Sequence, residues 1–276
     1  MTIAVSIKVN DGIVLASDSA TTMMDQESGR VVTVYNNANK IFNLCKRMPI
    51  GVITWGLGNF GHSSIATLAK DFRVRISADK TVFDPEKYTI LDVARKFVDF
   101  MHKEHYLPAV TTLSDDKLPL TGFVIAGYSS GASVAEMYGV NLFGRTMPEL
   151  TEFYSGEQAG LRWDGQPEAI TRMIMGFAPE LPGLLQEVGV ADNLLEKIKE
   201  RLCVLQQPLI MPSMPIQDTI DLAEYLVDLT VRFARFRPGV PTVGGPIEIA
   251  SITKHEGFKW SKRKHYFDSG LNRDYI

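Results

Sequence analysis

The 276-residue chain has only two cysteines, Cys45 and Cys203, too few for a disulfide scaffold. They read as reduced thiols of a cytosolic protein. No apolar run approaches the roughly 18 residues needed to span a bilayer, so no membrane partner is expected. Neither sign of charge dominates: 29 Lys+Arg against 32 Asp+Glu leave a formal net charge of −3. That balance gives no general attraction for nucleic acid. The five histidines lack metal spacing backed by cysteines or carboxylates. His102 and His105, at i and i+3, read as a solvated helix face, so no metal or organic cofactor is expected. No Pro/Ser/Gly-rich linker divides the chain and no internal repeat is visible, which predicts a single domain over 1–276. No signal peptide or disordered arm is expected ahead of the first strand.

What is present is an ordinary globular composition, 45% hydrophobic and 22% charged. Two β-rich runs flank Asn10-Asp11-Gly12, a hairpin-turn signature. Segments 3–9, 12–18, 40–44 and 50–56 are predicted strands. A helix is predicted over 59–74 and another over 89–105, the second ended by Pro108. Strands return at 122–128 and 132–139 around Ser129-Ser130-Gly131, with a short one near 149–154. Residues 165–236 are predicted mostly helical, with candidates at 168–177, 194–205 and 217–236 and a Pro/Met-rich loop over 207–215. A final strand is predicted at 247–253. This order predicts an α+β protein.

Thr2 opens the first strand directly behind Met1. Once Met1 is removed, Thr2 carries a free α-amine and a hydroxyl, a nucleophile and its own general base in one residue. An unperturbed α-amine has a pKa near 7.7–8.0, so a useful fraction is unprotonated near neutral pH. On Thr2 alone, an ordinary strand start would be the simpler reading. The spacing of Thr2, Gly12 and Asp18, then Thr21 and Thr22, then Asn39-Lys40-Ile41-Phe42, then the glycine-rich stretch 51–58, changes that balance. This run resembles the start of proteasome β-type subunits, which are N-terminal-nucleophile hydrolases. The resemblance is specific over 2–75 and weaker but ordered beyond.

The resemblance implies a four-layer α-β-β-α sandwich, with a helical insertion around 165–215. It implies a threonine-type peptidase or amidase with Thr2 as nucleophile. Lys40 would be the cation that lowers the amine's pKa and favours an alkoxide. Asp18 would be the counter-charge that a buried lysine needs. Lys46 is a poorer candidate, because the apolar pair Ile41-Phe42 follows Lys40. The Gly56 N–H would be an oxyanion donor, and Ser155, in a Ser-Gly turn, would bond the Thr2 amine. Thr21, Thr22, Thr54 and Gly56 would contact an extended peptide substrate. A helix follows Gly56-Leu57-Gly58, but no βαβ unit surrounds it, so it is not read as a dinucleotide site. The implied partners are further copies of the chain in a stacked homo-oligomeric ring, a peptide or unfolded-protein substrate, and an ATPase feeding the chamber.

One departure stands out. The family usually has an aspartate three residues before a serine that leads Gly-Gly. Here Val240-Pro241-Thr242-Val243 precedes Gly244-Gly245, and only Thr242 offers a hydroxyl. Together with the absence of a propeptide, this points toward divergent bacterial homologues. Two other readings stay open: a catalytically silent ring subunit, and an amidase acting on a small non-peptide amide.

Overall fold

Strands β1 (Ile3–Val9) and β2 (Gly12–Ser17) form the opening hairpin. Gly12 follows the turn at φ +156°, where a Cβ would lie 2.4 Å from the Ile252 carbonyl oxygen. Every residue of both strands is buried, because other elements cover both faces. Strand alternation still sorts them: Ile3, Val5 and Ile7 enter one core cluster, and Ala4, Ile13 and Leu15 another.

The computed structural model describes residues 2–25, 28–78 and 83–265. Within them the chain continues through β3 (Thr21–Met24), β4 (Val31–Tyr35), β5 (Ile41–Asn43), β6 (Ile50–Gly56), β7 (Asn59–Phe60) and β8 (Ser63–Ser64). Helices α1 (Ile65–Ala78), α2 (Ile90–Asp99) and α3 (Leu107–Val110) precede β9 (Thr121–Gly127), β10 (Glu136–Leu142), β11 (Thr151–Glu152) and β12 (Gly160–Gly165). Then come α4 (Glu168–Met175), α5 (Leu181–Glu187), α6 (Asp192–Leu202) and α7 (Ile216–Phe236), and finally β13 (Glu248–Thr253) and β14 (Gly257–Lys262).

This is a mixed α+β architecture with several sheets. One sheet has the order β12-β1-β2-β13-β14 and a second has β11-β10-β9-β6-β5, while β3-β4 and β7-β8 form separate hairpins. Ala4, Leu15, Ile53, Trp55, Val124 and Ala250 from both sheets share one apolar cluster. Leu226 and Val227 of α7, with Ile170 of α4, pack on the other face of the first sheet. Leu68 and Phe72 of α1, with Phe97 of α2, pack beside Val52 and Phe123 of the second. Edge-to-face aromatic pairs, Phe72–Phe97 at 5.2 Å and Phe97–Phe123 at 5.2 Å, lock the second contact.

The structure differs from the sequence-based expectation in several places. Residues 59–64 form the β7-β8 hairpin, and the helix starts only at Ile65. Pro108 does not end the helix that began at Ile90. A π-helical stretch, Phe100–Tyr106, carries the chain into α3, and Pro108 sits in its first turn, where a missing N–H is tolerated. The strand expected over 132–139 runs instead from Glu136 to Leu142. His102 is not on a solvated face: it is 1% exposed, and its ring stacks on Tyr106 at 5.7 Å. Cys45 is buried and Cys203 exposed, both unpaired. In the 165–215 stretch, α5 buries no residue and α6 buries only Leu195. Among the described residues no helix is long and apolar enough to cross a membrane.

Candidate active site

Asp18 leaves the end of β2 fully enclosed, at 1% exposure. Its Oδ1 accepts the Ile3 N–H at 3.1 Å and the Lys40 ammonium at 2.6 Å. Its Oδ2 accepts the N–H groups of Ala20 and Gly244, each at 3.0 Å. Both oxygens are therefore saturated, which is the condition for holding a charge out of water. One carboxylate oxygen thus ties Lys40 to the backbone immediately after Thr2.

Lys40 sits just before β5 and is 6% exposed. Its carbonyl accepts the Thr54 N–H at 3.0 Å, which fixes its backbone against β6. Burial holds its ammonium below the ordinary lysine pKa, and the charge of Asp18 opposes that shift. The Thr2 carbonyl accepts the Gln166 N–H at 2.8 Å, continuing the β1-β12 ladder one step past the Ile3–Gly165 pair.

That ladder also places a residue that sequence analysis missed. Asp164 pairs with Ala4. Thr2 and Ala4 are alternate positions of one strand, so Asp164 lies on the Thr2 face, one cross-strand step away. Arg162 holds its carboxylate in a fork, Nε to Oδ2 at 2.8 Å and an Nη to Oδ1 at 2.7 Å. Burial raises the Asp164 carboxyl pKa, and Arg162 opposes that shift.

Ser155 is not brought to Thr2. The Tyr154-Ser155-Gly156 turn hangs on Lys8, whose ammonium donates to the Tyr154 carbonyl at 2.5 Å and the Gly156 carbonyl at 2.7 Å. Lys8 lies at the far end of β1 from Thr2, roughly 20 Å away at the rise of a strand. The backbone beside Thr2 is Asp164-Gly165-Gln166 instead. The turn's local Ser-Gly signal does not encode which strand end it joins.

Gly56 closes β6 at φ +89°, and a Cβ there would meet the Leu120 carbonyl oxygen at 2.2 Å. That close approach alone requires glycine, whatever its N–H does. Thr54 is 5% exposed, and its hydroxyl donates to the Gly122 carbonyl at 3.0 Å. It therefore packs within the second sheet instead of lining an open pocket. Thr21 and Thr22 are half-buried on the β3-β4 hairpin. The Thr21 hydroxyl lies 3.6 Å from where a Cβ on Gly58 would stand, so β3 borders the Gly56-Leu57-Gly58 turn. Lys46 is exposed.

The Gly244-Gly245 segment closes the other side. Ser19 N–H donates to the Gly244 carbonyl at 2.9 Å, so Asp18 and Ser19 clasp Gly244 from both directions. A cavity of about 330 Å³ is lined by Gln166, Glu168, Phe233, Arg237 and Thr242. A second, of about 320 Å³, is lined by Val34, Asn36, Arg235, Val240 and Gly244. A second ion pair, Lys264–Glu248 at 2.5 Å, with Glu248 buried and Lys264 partly buried, also lies here and carries no local sequence signal. Among the described residues no group of three or more His, Cys, Asp or Glu side chains is placed to hold a metal.

No protein-family model matches the chain. No curated protein sequence matches it either. Among solved structures, the chain is similar to one described as the Anbu (Gly-1) mutant from Hyphomicrobium sp. strain MC1. The identity is 15% and the TM-score 0.54, over 99% of this chain and 91% of that chain. At that identity the likeness is one of fold. What the two share is a mixed α+β architecture with several sheets.

Proposed function

We propose that this chain is an N-terminal threonine hydrolase, a peptidase or amidase that works through a Thr2 acyl-enzyme. The observation that carries the reading is the single Asp18 oxygen shared by the Lys40 ammonium and the Ile3 N–H. It fixes a buried cation beside the backbone that presents Thr2. With Met1 removed, the Thr2 hydroxyl attacks a substrate carbonyl carbon while its proton passes to the Thr2 amine, directly or through a water. The amine then gives that proton to the departing nitrogen, leaving an ester on Thr2. Water, activated by the same amine, hydrolyses the ester and restores the hydroxyl. Lys40 keeps the amine unprotonated and stabilises the developing alkoxide. The Gly56 N–H faces the oxyanion, a contribution of about 2.7–4 kcal/mol for such a donor.

The reading extends to a four-layer α-β-β-α sandwich, supported by helices packed on the outer face of each five-stranded sheet. It extends to a homo-oligomeric ring that encloses the sites, fed with peptide or unfolded protein by an ATPase partner. Thr21 and Thr22 pair with an extended substrate through backbone bonds that do not read sequence.

The test is intact mass before and after a covalent reagent directed at N-terminal threonine. The expected result is loss of one methionine, then a single adduct that Thr2→Ala abolishes. Quantitative retention of Met1 sinks the mechanism. A fluorogenic peptide panel then separates peptidase from small-amide hydrolase. Cleavage after apolar residues supports the former, and no cleavage by a protein that still forms the adduct supports the latter.

A further inference from the structure

We propose that Lys264 and Glu248 are positioning residues for Lys40, a partly buried ion pair that holds the two chain segments carrying Asp18 and Lys40. This rests on the reading of Thr2 as nucleophile. Glu248 opens β13 at 2% exposure and pairs in register with Ser17, the residue before Asp18. Lys264 follows β14, and its ammonium reaches three acceptors: Glu248 Oε2 at 2.5 Å, Ser19 Oγ at 2.8 Å and the Ala38 carbonyl at 2.9 Å. Ser19 is one residue past Asp18 and Ala38 two residues before Lys40. Those two segments are also joined directly, Ala38 N–H to the Ser19 carbonyl at 2.9 Å, and Ser19 Oγ donates to the Pro246 carbonyl at 2.6 Å. Lys264 therefore closes a ring of contacts around the Asp18–Lys40 pair.

A purely mechanical tie does not need charge. Removing the Glu248 carboxylate from water costs several kcal/mol, and a hydroxyl or amide would hold the Ala38 carbonyl and the Ser19 hydroxyl more cheaply. What a charged pair adds is a field. The charged groups that face Lys40 are Asp18, Lys264 and Glu248, and Arg263 stands behind Lys264. Lys264 pushes the Lys40 pKa down and Glu248 pushes it up, so the two oppose each other at Lys40. Losing either one alone leaves the other uncompensated beside the site. The two losses therefore act on the Thr2 amine in opposite directions, which a structural role does not do.

The experiment measures the pH midpoint of Thr2 α-amine acetylation by mass spectrometry on the full chain, alongside peptide kcat/KM. Lys264→Met, which leaves Glu248 bare, is expected to raise the midpoint by about half a unit or more. Glu248→Gln, which leaves Lys264 bare, is expected to lower it by a similar amount. Lys264→Arg and the double variant Lys264→Met with Glu248→Gln are expected to stay near wild type. Should a single variant fail to fold, the double variant and the other single carry the comparison. Midpoints that move in the same direction, or do not move in folded variants, overturn the inference. The labelling needs no turnover. A wild-type amine that titrates normally and forms no adduct instead overturns the nucleophile reading, whatever the variants do.

Discussion

Gly165 lies directly under the carbonyl of Thr2. A Cβ built on Gly165 would stand 2.0 Å from that oxygen, and Gly165 also sits at φ +94°. No L-residue fits there without moving the start of β1. Gly165→Ala is therefore expected to shift Thr2. A displacement near 1 Å costs on the order of 100-fold in rate, and the strained backbone about 1–3 kcal/mol in stability. Kinetics and thermal unfolding on the same preparation check both.

Lys40→Ala is expected to remove turnover while the protein still assembles. It also leaves Asp18 a buried anion held only by three N–H groups, so the loss of stability is about 3 kcal/mol, at the lower end for a broken buried pair. Asp18→Asn is expected to reduce activity strongly, because Lys40 loses its counter-charge. Near-wild-type kinetics for Lys40→Ala would identify the wrong lysine, and Lys46 would be the next to test.

The pH profile of kcat/KM is expected to rise as the Thr2 amine loses its proton and to fall as Lys40 loses its own. Burial lowers the Lys40 pKa from the ordinary 10.5. The alkaline fall therefore begins below that value. A profile flat to pH 10.5 would show that the Lys40 charge is not used.

Tyr88 offers a check on the fold that is independent of catalysis. It is 8% exposed, with its ring 5.0 Å from Phe83. Burial pushes its phenol from 10.0 to about 12. The folded state thus keeps a proton that the unfolded chain releases. The associated stability, about 2 kcal/mol, is fully present below pH 10 and is lost as pH rises through about 12. Denaturant titrations of wild type and Tyr88→Phe between those pH values should diverge, the variant showing the flatter dependence.

Assembly is expected to be large. Sedimentation or light scattering should give a mass many times the 30.7 kDa of one chain. A stable monomer at micromolar concentration would argue against a chambered peptidase.

Features set by local chemistry were legible in the sequence. The β1-β2 hairpin followed from Asn10-Asp11-Gly12, and α7 from its apolar spacing. Asp18 and Lys40 are paired through the family resemblance, and the structure brings them within 2.6 Å. What could not be read were partners chosen by distant register. β12 is an edge strand with Arg162 and Asp164 on one face, so it lacks the apolar run of a central strand. Without it, the residues beside Thr2 were sought at Ser155, which lies at the other end of β1. β14 was missed for a similar reason: Lys259 and Lys262 make it look like a tail, yet it leads to Lys264. The π-helical stretch at Phe100–Tyr106 has no simple periodic signature, so Pro108 looked like an end.

The bond from Gly244 N–H to Asp18 joins positions 226 residues apart in sequence. The strap that completes the Asp18 shell is therefore synthesised 226 residues after Asp18 itself. A growing chain cannot close so long a loop before that strap exists. The carboxylate that orients Lys40 therefore stays incompletely satisfied until that strap has been made. If the proposed hydrolase reading holds, a competent site cannot form before the Gly244 segment has been made.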